Sequence, residues 1–157
     1  MTEPELADNP VLAKLLEWDP AAQTVSFRGE LTLLVPRERL LPTAEFLREQ
    51  PGLQFDFLSD IAAVDRFPME PRFELNYHLV SIPNRHTLRV RVQVPSGRDP
   101  EIETVTPVWP TANWIEREIF DLFGVRFTGH PDLRRILMPD DWEGYPLRKD
   151  YPVEGFR

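Results

Sequence analysis

The chain has 157 residues, about one domain's worth, and its 41% hydrophobic and 11% aromatic content is enough to bury a core and excludes wholesale disorder. Lys plus Arg total 18 against 26 Asp plus Glu, a formal net charge of -8, which opposes attraction to nucleic acid or anionic lipid. With no cysteine, disulfides, thiolate-held zinc and cysteine-ligated iron–sulfur clusters are excluded, so any redox role of this chain is indirect.

The N-terminal stretch MTEPELADNP is acidic and has no apolar core, and the longest unbroken apolar run is Ile61–Val64. Neither a signal peptide nor a membrane-spanning helix is expected. The first element reads as a helix ending near Trp18. Asn9 is its N-cap, Pro10 suits the first turn, and Val11, Leu12, Leu15 and Leu16 make one apolar stripe. TVSFRGELTLLV then reads as a hairpin turning at Gly29. A second helix is expected from about Glu38 to Gln50, with Leu40, Ala44 and Leu47 on one face, Pro42 in the first turn or at a kink, and Pro51-Gly52 as terminator.

Three strands follow. FDFLSDIAAVD has apolar residues on both faces and is expected to be central, with a bulge at Ser59 and Asp60. FELNYHLVSI alternates Phe73, Leu75, Tyr77 and Leu79 with polar residues. HTLRVRVQV alternates Leu88, Val90, Val92 and Val94 with Thr87, Arg89, Arg91 and Gln93. The short PNRH between them fits an antiparallel hairpin. The expected fold is α+β, a two-layer domain with helices on one face of a mainly antiparallel sheet over residues 1–124, followed by an extended C-terminal segment over 125–157.

WIEREIFDLFG, Trp114 to Gly124, reads as a helix stopped by its glycine. At helical spacing Ile115, Ile119, Leu122 and Phe123 face the sheet. Trp114, Glu116, Arg117, Glu118, Phe120 and Asp121 then fringe that face. By pattern the charges are a solvated edge with a weak Arg117–Asp121 pair, whereas the two aromatics off the core stripe imply that this side also meets protein.

From Val125 onward four prolines and the lack of any longer pattern predict a structureless tail. Its Phe127, Leu133, Trp142, Leu147, Tyr151 and Phe156 nonetheless need burial. An aromatic, Arg-rich segment of that kind suits a partner subunit, and such a tail is expected to be mobile in the isolated chain.

Sites of chemistry are scarce. No nucleotide-binding, hydrolase-elbow or zincin motif occurs. His78 falls on a polar strand face and His86 in a turn, while His130, before Pro131 and Asp132, suits the capping of a short turn. Glu118, Asp121 and His130 are the candidate acid–base set of a free-standing small enzyme, with no nucleophile or pocket evident beside them.

Glu116-Arg117-Glu118, Asp121 and Phe123-Gly124, then Gly129 to Leu137, then Gly144, Pro146, Leu147, Arg148, Lys149, Asp150, Tyr151 and Pro152, closely resemble the signature of the 30 kDa (C-type) subunit of respiratory complex I. With LSDIAAVD, the resemblance spans roughly residues 30 to 152. It implies a structural subunit of the hydrophilic arm of the proton-translocating NADH:quinone oxidoreductase, without catalytic, metal or cofactor residues of its own. FMN and iron–sulfur clusters are expected in the partner subunits. The partners implied are the large, 49 kDa-type subunit at the quinone site and neighbouring iron–sulfur subunits, with membrane contact only through the complex. In a bacterium that places the chain at the cytoplasmic face of the inner membrane.

The charged residues of the Trp114–Gly124 helix would then anchor it to the tail or the partner. Arg134, Arg135, Arg148 and Lys149 would meet partner carboxylates. Trp114, Phe120, His130, Asp132, Trp142, Pro146, Leu147, Asp150 and Tyr151 complete the expected partner-binding set. The equivalent subunit of a membrane-bound hydrogenase-type complex is the alternative.

Overall fold

The computed structural model describes residues 8–156; most of the acidic N-terminal stretch read above for a signal peptide, and Arg157, lie outside them. Helix α1 spans Pro10–Trp18, and Asn9 Oδ1 accepts from the Val11 and Leu12 amides. Asn9→Ala is expected to cost about 1 kcal/mol of stability, readable as a lower urea midpoint with an unchanged m-value.

Strands β1 (Gln23–Phe27) and β2 (Glu30–Leu34) pair antiparallel. Both turn residues, Arg28 and Gly29, have positive φ, the geometry that matches the twist of a two-residue hairpin. After a 3-10 turn over Arg37–Arg39, helix α2 runs Leu40–Glu49 with Pro42 in its first turn and Leu40, Ala44 and Leu47 buried.

Strands β3 (Phe57–Asp65), β4 (Phe73–Ser81) and β5 (His86–Val94) form an antiparallel meander, and the five-stranded sheet has the order β1-β2-β5-β4-β3. Its one parallel pairing joins β2 to β5. The register of β3 shifts between Leu58 and Asp60, so the bulge expected at Ser59 is present. β3 is an edge strand, however, not a central one. Leu58 and Ile61 are buried on its inner face, while Phe57 and Val64 stand exposed on the other, which is why apolar residues occur on both sides of the sequence pattern.

The inner residues of β4 and β5 are buried as their alternation predicts. They form one core with Val11 and Leu15 of α1, Leu40, Ala44 and Leu47 of α2, and Ala112 and Ile119 of helix α3 (Ala112–Phe123). This is the expected α+β arrangement of helices against one face of a mainly antiparallel sheet. Gly124 caps α3 at φ +75°.

Beyond it, Val125 and Phe127 are still core residues. Strand β7 (Arg126–Thr128) pairs parallel with β6 (Glu101–Glu103). These three-residue strands are too short to leave a periodic signal, and they carry the packed domain past the boundary drawn at residue 124.

Candidate functional site

The charges of α3 do not form a solvated fringe. Glu116 and Asp121 are fully buried and Arg117 nearly so, whereas Glu118 is exposed. No Arg117–Asp121 pair forms among the described residues. Each buried group instead holds a segment that has no regular structure of its own.

Asp121 receives the tail. Its Oδ2 accepts from the amides of Ile136 (3.1 Å), Leu137 (2.7 Å) and Met138 (2.8 Å), and its Oδ1 takes Arg135 Nη1 at 2.7 Å. Burial by itself would raise this carboxyl's pKa. The Met138 amide, Arg135, and the Leu137 and Ile136 amides outweigh burial and hold it below the ordinary value. Arg135 also donates to the carbonyls of Asp121, Trp142 and Gly144. Arg117 donates to the carbonyls of Arg134 and Arg135, with its guanidinium over the Trp114 ring.

A second fastening lies at the end of β3. Asp65 and Arg72 form a two-pronged ion pair of 2.8 and 2.9 Å, Asp65 Oδ2 accepts the Lys149 amide at 2.8 Å, and Arg72 Nη2 reaches Asp150 Oδ1 at 2.8 Å. Here too burial opposes ionisation, yet Arg72 and the Lys149 and Phe67 amides hold the Asp65 carboxyl far below its usual range.

Between the two, Arg148 donates Nε to the Phe123 carbonyl at 2.6 Å and stacks between Tyr145 and Phe73. The Leu147 amide bonds the Leu122 carbonyl. Side chains thus satisfy the tail's peptide groups where a helix or sheet would otherwise do so, and the tail expected to be mobile is tied to its own domain. Gly124 permits the close approach: a Cβ there would lie 2.5 Å from Tyr145 Cε2 and 2.6 Å from Arg148 Nη2. Gly124→Ala is therefore expected to cost about 1–2 kcal/mol for the left-handed backbone alone. It should also loosen residues 145–148, measured as a lower melting temperature together with faster exchange of the Leu147 amide.

Glu116 serves the other side of α3. Its Oε2 lies 2.5 Å from Thr104 Oγ1, and its Oε1 accepts the Val105 amide at 2.9 Å. Burial raises this carboxyl to about 7, the Thr104 hydroxyl and the Val105 amide offsetting only part of the rise. Among the described residues no lysine or arginine pairs with it. His130 Nε2 is 3.9 Å from Oε2, but that nitrogen bonds the Asn113 carbonyl while Nδ1 accepts the Asp132 amide, so both ring nitrogens are engaged elsewhere. The turn capped by His130 is as expected. The buried Tyr77 hydroxyl makes no hydrogen bond among the described residues, and burial together with the Glu116 charge raises its pKa.

Glu118, Asp121 and His130 are not brought together. The first faces solvent, the second is wrapped by the tail, and the third is occupied by Asn113 and Asp132. Of the four cations expected to meet a partner, Arg135 and Arg148 are engaged within the chain, whereas the Arg134 side chain is 67% exposed and the Lys149 side chain forms no ion pair among the described residues. Arg134 pairs with Asp132 at 2.8 Å and Arg135 with Asp121. Lys149 is held through its backbone and Asp150 by Arg72.

Phe120 is half-buried between Tyr145 and Arg126, and Pro146 and Tyr151 are half-buried as well. Trp114 (61%), Leu137 (61%), Trp142 (40%) and Leu147 (51%) remain exposed. Asp65, Arg72 and Thr104 were not picked out by sequence reasoning. The signal for the first two is an acid closing one strand and an arginine opening the next.

The model of the family described as "Respiratory-chain NADH dehydrogenase, 30 Kd subunit" matches residues 33–157. The chain belongs to this 30 kDa subunit family. Among its relatives, the NADH-quinone oxidoreductase C-type subunit numbered 2 in Rhizobium etli (strain CIAT 652) is 47% identical over 155 residues, covering 99% of this chain and 81% of the relative. The C-type subunit of the same oxidoreductase in Roseiflexus castenholzii (strain DSM 13941 / HLO8) is 52% identical over 149 residues, covering 93% and 85%.

A chain in the structure of a membrane-bound sulfane sulfur reductase, an archaeal respiratory membrane complex, superposes with TM-score 0.79 at 30% identity, over 91% of this chain and 84% of that one. The sequence blocks that carry the resemblance to this family include four residues that hold the tail in place, Asp121, Arg135, Arg148 and Lys149. Among the described residues no helix is long and apolar enough to cross a membrane, and no group of three His, Asp or Glu is placed to hold a metal ion.

Proposed function

We propose that this chain is a non-catalytic docking subunit of the hydrophilic arm of an NADH:quinone oxidoreductase, whose fastened tail is the surface on which the quinone-site large subunit sits. Electron transfer from NADH to quinone and its coupling to proton translocation belong to the assembled complex. FMN and iron–sulfur clusters are held by the partners, and this chain is peripheral, at the cytoplasmic face of the inner membrane in a bacterium.

One observation carries this reading. The tail and the neighbouring end of α3 expose Trp114, Leu137, Trp142, Leu147 and Phe156 on a backbone that Asp121, Arg135 and Asp65 hold in place. A preordered apolar surface of this sort binds protein without a large ordering cost. The relatives' names as subunits of NADH-quinone oxidoreductase agree with it. The likeness to a chain of a sulfane sulfur reductase complex favours, as second reading, the equivalent role in another membrane oxidoreductase such as a hydrogenase-type complex.

The test is capture of the tagged chain from its own membranes in mild detergent. Partners would be identified by mass and the eluate assayed for NADH-dependent quinone reduction. Co-eluting iron–sulfur subunits with that activity support the first reading, and a nickel-bearing partner without it supports the second. A lone soluble monomer sinks both.

A further inference from the structure

Three acids of the tail stand apart from the ion pairs that hold Asp132 and Asp150. Arg134 and Arg135 are paired within the chain and Arg148 donates to the Phe123 carbonyl, whereas Asp141, Glu143 and Glu154 form no ion pair among the described residues and are exposed. These three rim a notch of about 460 Å³ whose walls are Trp142, Tyr151 and Phe156.

The notch is a built feature. Tyr151 and Phe156 meet edge to face with centroids 5.5 Å apart, and a Cβ on Gly144 would lie 2.6 Å from the Phe156 ring. The carbonyls of Trp142 and Gly144 are both held by Arg135, so the clasp on Asp121 sets the position of the walls.

We propose that this aromatic notch receives a basic side chain, arginine in preference to lysine, of the subunit docked on the tail. The proposal rests on the docking reading and adds the chemistry of the contact. At this notch the contact takes positive charge from the partner, beside the exposed Arg134 and Lys149 side chains that remain open to partner carboxylates. Aromatic faces attract a cation, and a planar guanidinium stacks on them while its edge reaches rim carboxylates. An apolar occupant would leave those acids desolvated without compensation, and an acidic one would be repelled.

The full-length tagged chain is captured with its partners as wild type, as Glu143→Gln/Glu154→Gln and as Glu143→Lys/Glu154→Lys. Each is then washed over a salt series while retained partner subunits are quantified. Neutralisation is expected to lower retention about tenfold near physiological salt, charge reversal to lower it further, and the salt dependence to flatten in the neutralised variant. Equal retention of the reversed variant and wild type at every salt concentration overturns the proposal.

A wild type that retains no partner overturns the docking reading instead, and the notch is then decided on the isolated chain. A blocked arginine tripeptide is titrated against its citrulline counterpart while the Trp142 indole N–H resonance is followed. A shift with arginine alone supports the notch; equal shifts, or none, overturn it.

Discussion

Asp121→Asn is expected to lower the stability of the chain by about 3–5 kcal/mol, the cost of removing one partner from a buried ion pair, and to release the tail. Every neighbour of this carboxylate is a donor: three consecutive backbone amides and a guanidinium. An amide of the same shape brings two donors of its own and must turn them toward one or the other set. Urea denaturation reads the loss of stability. Hydrogen exchange reads its location, since the Ile136, Leu137 and Met138 amides should exchange far faster in the variant while the amides of β4 and β5 follow global unfolding. Wild-type exchange at those three amides as fast as in the variant would remove the clasp from the account. The same carboxylate confers stability at neutral pH that is lost as pH falls through its depressed folded-state pKa.

Glu116 works in the opposite sense. Its carboxyl, ordinarily near 4.5, is raised to about 7 in the folded chain, so the folded state binds a proton that the unfolded state has released. Stability should therefore fall as pH rises from about 4.5 through about 7, by about 3 kcal/mol in all. Glu116→Gln should abolish that decline. The glutamine carbonyl can still accept the Val105 amide, and its NH2 can donate to Thr104 Oγ1, whose own O–H then donates to Thr106 Oγ1. Above pH 7 the variant is accordingly expected to be more stable than the wild type. A wild-type chain whose urea midpoint stays flat between pH 5 and 8, or falls equally in Glu116→Gln, contradicts the buried-acid assignment.

Most of the fold was legible because it is written locally. Asn9-Pro10 starts a helix, Arg28-Gly29 turns a hairpin, Leu88 to Val94 alternates, and Gly124 ends a helix whatever surrounds it. What was not legible depends on residues far apart. The position of β3 at the sheet edge follows from the parallel pairing of β2 with β5, which no stretch of β3 itself records.

The helical wheel placed Glu116 and Asp121 beside the core and read their charge as a sign of water. That inference fails when a carboxylate's partners are backbone amides, because amides carry no residue identity that a pattern can show. For the same reason the internal bonds of Arg135 and Arg148 could not be read from the tail's sequence. The carbonyls that occupy Arg117, Arg135 and Arg148 are present at every residue and so invisible as a motif. The signature blocks of the family did mark these positions, and only the geometry gave the reason.

The fastening of the tail also sets an order of events. Asp65 and Lys149 are 84 positions apart, and Arg72 and Asp150 are 78 apart, so these bonds close long loops and can be rewarded only after the strands that carry Asp65 and Arg72 have paired. The fastened tail from residue 134 onward is therefore expected to gain order after the sheet and to lose it first. A partner that recognises the ordered tail recognises, at a distance, a sheet that has already been completed, and half-made chains offer it nothing to hold.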